Sequence, residues 1–127
     1  KVHDPAAAGA KEWSLSLLGE LDQAIQNGQI WVAYQPKLDL KTRTFLGAEA
    51  LVRWTHVSRG PISPAEFVEI ADKHGRIGKI TAFVLNEAAH LVKDARQWQP
   101  GFTISVNISP SQLTSRDIID MVKTVLI

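Results

Sequence analysis

Two strand-like segments separated by helical patterns constrain this chain more than any other feature. Thr44–Trp54 alternates, with Leu46, Ala48, Ala50, Val52 and Trp54 on one face and Gly47, Glu49, Leu51 and Arg53 on the other. Thr103–Ile108 alternates again, setting Ile104, Val106 and Ile108 against Thr103, Ser105 and Asn107. A helix start at Ser63-Pro64-Ala65-Glu66 and a long stripe over Lys79–Trp98 lie between them. Strands joined through helices pair in parallel, so the chain reads as α/β.

The remaining segments fit that order. Leu18, Leu21 and Ile25 recur at helical spacing after Ser14, and Asn27-Gly28 supplies a left-handed stop. Ile30–Tyr34 is short, aromatic and β-branched and reads as a strand closed by Pro36, followed after the turn at Lys41-Thr-Arg43 by the Thr44 strand. The helix from Ser63, with Glu66 reaching back to the cap, is expected to end at Gly75. Ser109-Pro110-Ser111-Gln112 repeats the capping pattern, and a last helix from Ser115 carries Ile118, Ile119, Val122, Val125 and Leu126. Residues 1–13 read as a linker or the tail of an upstream domain, because Pro5, Gly9 and four alanines show no apolar period. Three strands cannot close a barrel, so the edges and the apolar last helix are expected to need cover from elsewhere.

Composition narrows the function classes. The 127 residues carry a net charge of +1 with Lys and Arg scattered, which gives no footprint for a long nucleic acid. No stretch approaches the roughly 18 apolar residues of a membrane span, so no membrane contact is expected of this segment. Zero cysteines exclude disulfides and thiolate metal sites and suit a cytoplasmic setting. The four histidines are dispersed and read as helix, loop and linker residues, and the four tryptophans as packing residues. Lys37, Lys41 and Arg43 read as a small solvated basic turn.

Helices covering the apolar strand faces leave the polar faces turned the other way, where Glu49, Arg53, Ser105 and Asn107 share one surface and Gln35 can join them. Glu49 offers a hard anionic oxygen and Asn107 a neutral amide oxygen, a pair that suits Mg²⁺ or Mn²⁺ better than zinc. A Glu49–Arg53 ion pair or a plain solvated sheet face accounts for the same residues without a site.

Four ordered blocks carry a resemblance. They are Tyr34-Gln35-Pro36-Lys37-Leu38-Asp39-Leu40, Gly47-Ala48-Glu49-Ala50-Leu51-Val52-Arg53-Trp54, Ile62-Ser63-Pro64-Ala65-Glu66-Phe67-Val68 and Ser105-Val106-Asn107-Ile108-Ser109. Together they resemble the EAL domains, bacterial cyclic di-GMP phosphodiesterases named for the Glu-Ala-Leu signature. The resemblance covers residues 14–127 and implies the amino-terminal half of such a domain: a partial (β/α)₈ TIM-like barrel with an antiparallel first strand, and about three strands with their helices. A complete barrel takes about 250 residues.

The resemblance also implies roles. Glu49 is a catalytic metal ligand and Asn107 a second ligand for Mg²⁺ or Mn²⁺; Gln35 and Arg53 contact cyclic di-GMP, and Leu51 and Pro64 line its base pocket. The implied reaction is metal-dependent hydrolysis of cyclic di-GMP to pGpG. Family members use further acidic ligands and a lysine downstream of the Asn107 block, so these residues alone are expected to be nearly inactive. The implied partners are cyclic di-GMP and either a second copy or the remainder of the same domain. The rival reading is a non-catalytic module that binds cyclic di-GMP or dimerises; an unrelated small α/β domain explains none of the four blocks.

Overall fold

Gly28, with φ of 82°, terminates the first helix, and a hairpin follows directly. The computed structural model describes residues 5–113, 116 and 118–120, and of residues 5–14 the backbone alone. The elements are α1 (Pro5–Gln26), β1 (Ile30–Asp39), β2 (Thr44–His56), β3 (Gly60–Ile62), α2 (Pro64–Lys73), α3 (Ile77–Ala95), β4 (Thr103–Val106) and α4 (Pro110–Leu113). They fall into two units, Lys1–Trp31 with Arg53–Ile77 and Val32–Val52 with Gly78–Ile127.

In the first unit, α1 buries Leu17, Leu18, Leu21 and Ala24, positions that share one helical face, and α2 buries Phe67 and Ala71 one turn apart. The two helices pack on each other. Trp54, near the end of β2, is almost wholly buried and meets Phe67 edge to face with centroids 5.4 Å apart. Its indole N–H donates to Gln29 Oε1 at 3.2 Å, so the one polar atom of the ring is satisfied. Here β2 pairs antiparallel with β3, Trp54 opposite Ile62 and His56 opposite Gly60. The imidazole of His56 organises the turn between them. Its Nδ1 accepts the backbone N–H groups of Ser58 and Arg59, each at 3.2 Å, which leaves Nε2 to face Glu20 Oε1 at 3.2 Å.

The second unit holds the rest of β1 and β2, with β4, α3 and α4. A four-residue connection cannot carry a crossover, so β1 and β2, which are neighbours, run antiparallel. Arg43 takes φ of 56° in the turn, where its N–H donates to the Asp39 carbonyl at 2.8 Å while Asp39 Oδ1 accepts from the Lys41 N–H at 2.9 Å. β2 and β4 pair in parallel, with Gly47, Ala48, Glu49 and Ala50 opposite Thr103, Ile104, Ser105 and Val106. The order expected from the intervening helices is therefore observed. Ala48 and Ala50 on β2 and Ile80, Val84 and Ala88 on α3 are buried.

The structure departs from the sequence expectations in several places. The first helix starts at Pro5, ahead of the expected Ser14. β1 runs through Pro36 to Asp39, which an edge strand allows because a proline there forfeits no ladder bond to an inner neighbour. The three-residue β3 adds a fourth strand. Leu46, expected on the buried face, is half exposed. Ser63 caps α2 without a side-chain bond, and Glu66 instead accepts from Arg59 Nη1 at 3.1 Å. Most of the helix expected from Ser115 lies outside the described residues.

Candidate functional site

The register of β2 and β4 decides which polar side chains meet. Glu49 lies opposite Ser105, so Asn107, two residues further and just past the end of β4, is its diagonal neighbour on the same face. The diagonal is bridged: Asn107 Nδ2 donates to Glu49 Oε1 at 3.1 Å. On the other flank of β2, Lys37 of β1 reaches Ser105, its Nζ donating to Oγ at 2.7 Å. Gln35 sits two residues before Lys37 on the same side of β1 and is exposed. Leu51, two residues after Glu49, is half-buried. One face of the second unit thus carries Lys37, Glu49, Ser105 and Asn107, with Gln35 on the same side of β1 as Lys37.

Arg53 and Pro64 belong to the first unit. Arg53 is half-buried on β2, and Pro64 opens α2, where its fixed φ suits the first helical position.

The turn that presents Asn107 is held from behind by a buried polar network. Gln112 Oε1 accepts from the Ser109 N–H at 3.3 Å and from Thr81 Oγ1 on α3 at 2.9 Å, while the Gln112 N–H donates to the Ser109 carbonyl at 2.9 Å. Thr81 and Gln112 are both buried, where losing one partner of a bonded pair is expensive. On β1, Tyr34 has its hydroxyl pushed above the ordinary range of a phenol, first by burial and then by the charge of Glu87 on α3.

Glu49 and Asn107 bring hard oxygen donors together, which fits Mg²⁺ or Mn²⁺. The fit is partial. Among the described residues no group of three or more His, Cys, Asp or Glu side chains could hold a metal ion. The Asn107 amide presents nitrogen, not oxygen, to Glu49, so a shared cation requires the amide to turn and offer Oδ1. Strand parity alone sets Glu49 and Asn107 on one surface that Gln35 can join. The sequence reading missed Lys37, although its spacing from Gln35 was a signal, and it missed the Thr81–Gln112 bond, which no local pattern announces.

Carboxylate and amide donors from a parallel strand pair, with helices between those strands in sequence, define an α/β domain. The family described as EAL domain matches residues 18–126, and the chain belongs to that family. It is 36% identical over 124 residues to the bifunctional diguanylate cyclase/cyclic di-GMP phosphodiesterase MucR of Pseudomonas aeruginosa, covering 94% of this chain and 18% of the relative. It is 34% identical over 114 residues to the probable cyclic di-GMP phosphodiesterase PdeI of Escherichia coli, covering 87% of this chain and 14% of the relative. Among solved structures, the PaMucR phosphodiesterase in complex with c-di-GMP superposes with a TM-score of 0.78 at 34% identity, covering 87% of this chain and 45% of that one. The chain therefore spans less than half of that domain structure and less than a fifth of these curated relatives. The fold is that of part of an EAL-type TIM barrel. No described helix is long and apolar enough to cross a membrane.

Proposed function

We propose that this chain carries part of the active face of a cyclic di-GMP phosphodiesterase, in which Glu49 and Asn107 hold a divalent cation and Gln35 contacts the nucleotide. The observation that carries the reading is the 3.1 Å bond between Asn107 and Glu49, which joins oxygen-bearing side chains from β2 and from the turn after β4 on one face. MucR and PdeI, whose names give cyclic di-GMP hydrolysis, support the choice of substrate. Arg53 and Pro64, in the first unit, are assigned to the nucleotide by resemblance; a guanidinium fork matches the geometry of a phosphate.

A divalent cation bound to Glu49 and Asn107 would supply an activated water and neutralise phosphoryl charge. Glu49 contributes the anionic oxygen of the pair, and Asn107 turns its amide to add a neutral one. Gln35, exposed on β1, donates or accepts at the nucleotide. Two protein donors leave most of an octahedral shell to water, to the nucleotide phosphate, and to a second copy or the remainder of the domain. Turnover by these 127 residues alone is therefore expected to be slow or absent, whereas binding persists.

The test incubates the chain with cyclic di-GMP and Mn²⁺, measures binding by equilibrium dialysis and follows pGpG by chromatography. Saturable, Mn²⁺-dependent binding that is lost in Glu49→Ala supports the reading, and pGpG formation that is lost in the same variant adds catalysis. Absence of binding, or binding indifferent to Glu49→Ala, refutes it. Binding that needs no Mn²⁺ and yields no pGpG favours the non-catalytic module.

A further inference from the structure

Lys37 lies on the face of the second unit that carries Glu49, Ser105 and Asn107. β1 and β4 both border β2, so they lie about 10 Å apart. The lysine stem crosses that span to bring Nζ within 2.7 Å of Ser105 Oγ. Ser105 is the register partner of Glu49, and Gly47, the preceding residue on that side of β2, adds no side chain. The ammonium therefore lies on the face that carries the Glu49–Asn107 bond. Its anchor is neutral, and among the described residues Lys37 forms no ion pair, so the charge remains available.

We infer that Lys37, oriented by Ser105, is a phosphate-binding residue of this face. The inference rests on the proposed nucleotide function and adds a residue to it. A phosphodiester seated between the Glu49–Asn107 cation position and the Lys37 ammonium receives positive charge from both sides, and two of the three ammonium donors remain for its oxygens after the bond to Ser105. The same charge repels a bare divalent cation, so Lys37 acts with opposite sign on the two ligands. Phosphate binding is strengthened and metal binding in the absence of nucleotide is weakened.

The test measures both affinities of Lys37→Met, Lys37→Arg and the unaltered chain. Cyclic di-GMP is titrated in the presence of Mn²⁺, and Mn²⁺ is titrated alone by the loss of free-ion electron-spin signal. Lys37→Met is expected to weaken nucleotide binding about fivefold or more at low salt and to tighten Mn²⁺ about twofold, the exposed setting holding both effects down. Lys37→Arg restores most of the nucleotide affinity. Ser105→Ala, which frees the ammonium without removing it, is expected to show a smaller loss, about twofold. A Lys37→Met variant that loses affinity for both ligands indicates a merely structural residue and overturns the inference, as does one that changes neither. An unaltered chain that binds Mn²⁺ but no nucleotide overturns the proposed function and this inference together. An unaltered chain that binds nucleotide as well as Lys37→Met does overturns the inference alone.

Discussion

Replacing Gly47 by alanine tests the strand pairing on which the site depends. An added Cβ would lie 2.0 Å from the Thr103 carbonyl oxygen and 3.0 Å from both its carbon and Oγ1. Ordinary carbon–oxygen contacts begin at about 3.3 Å, so β2 and β4 must separate by more than 1 Å, and the obstructing atom is backbone that no rotamer change can move. Overpacking of this kind costs about 1–3 kcal/mol. Stretching one or two ladder hydrogen bonds adds about 1 kcal/mol each, for roughly 2–5 kcal/mol in all. With an unfolding entropy of about 2 cal/mol/K per residue, that lowers Tm by roughly 8–20 °C. The control is Gly19→Ala, in an exposed part of α1 where an added Cβ meets nothing within 4 Å. The same substitution there is expected to stabilise by about 0.5–1 kcal/mol, because alanine is the better helix former. Urea unfolding followed by tryptophan fluorescence measures both. A Gly47→Ala variant within 0.5 kcal/mol of the parent would refute the close approach of the two strands and the register that sets Glu49 opposite Ser105.

Three further outcomes are expected. Thr81→Val removes one of the two donors to the buried Gln112 oxygen and should cost about 1–2 kcal/mol in urea unfolding, with the Asn107 side-chain amide resonance shifted; an unchanged resonance argues against the turn-positioning role. Tyr34 has a raised folded pKa, so its contribution is complete below the ordinary phenol value of about 10 and is lost as pH rises through the folded value; alkaline unfolding should weaken less steeply in Tyr34→Phe, and parallel curves would contradict this. Glu66→Gln breaks a partly exposed ion pair with Arg59 and should change stability by less than about 0.5 kcal/mol, so a larger loss by calorimetry would contradict its minor role.

Alternation and helix order made the parallel β2–β4 pair legible, because a period of two fixes the face of every residue once the strand is recognised. The same parity put Glu49 and Asn107 on one side, and the structure brings them into contact. What stayed hidden depended on distant partners. Leu46 has the parity of a core residue, yet β4 pairs with β2 only from Gly47 onward, so its side chain stays half exposed. His56 looked like a loop histidine because nothing nearby in sequence reveals Glu20, thirty-six residues earlier. Lys37 was read with its neighbours as a solvated turn, since its partner Ser105 lies two strands away. Glu66 fits a capping pattern but is drawn off by Arg59, a competition that local sequence does not decide.

The most direct test is a Mn²⁺ titration of the isotope-labelled chain, observed at the side-chain amide of Asn107. Bound manganese should broaden that resonance ahead of other side-chain amides, and Glu49→Ala should abolish the effect. Manganese that binds while the Asn107 amide stays sharp would contradict the assignment of Glu49 and Asn107 as partners around one cation.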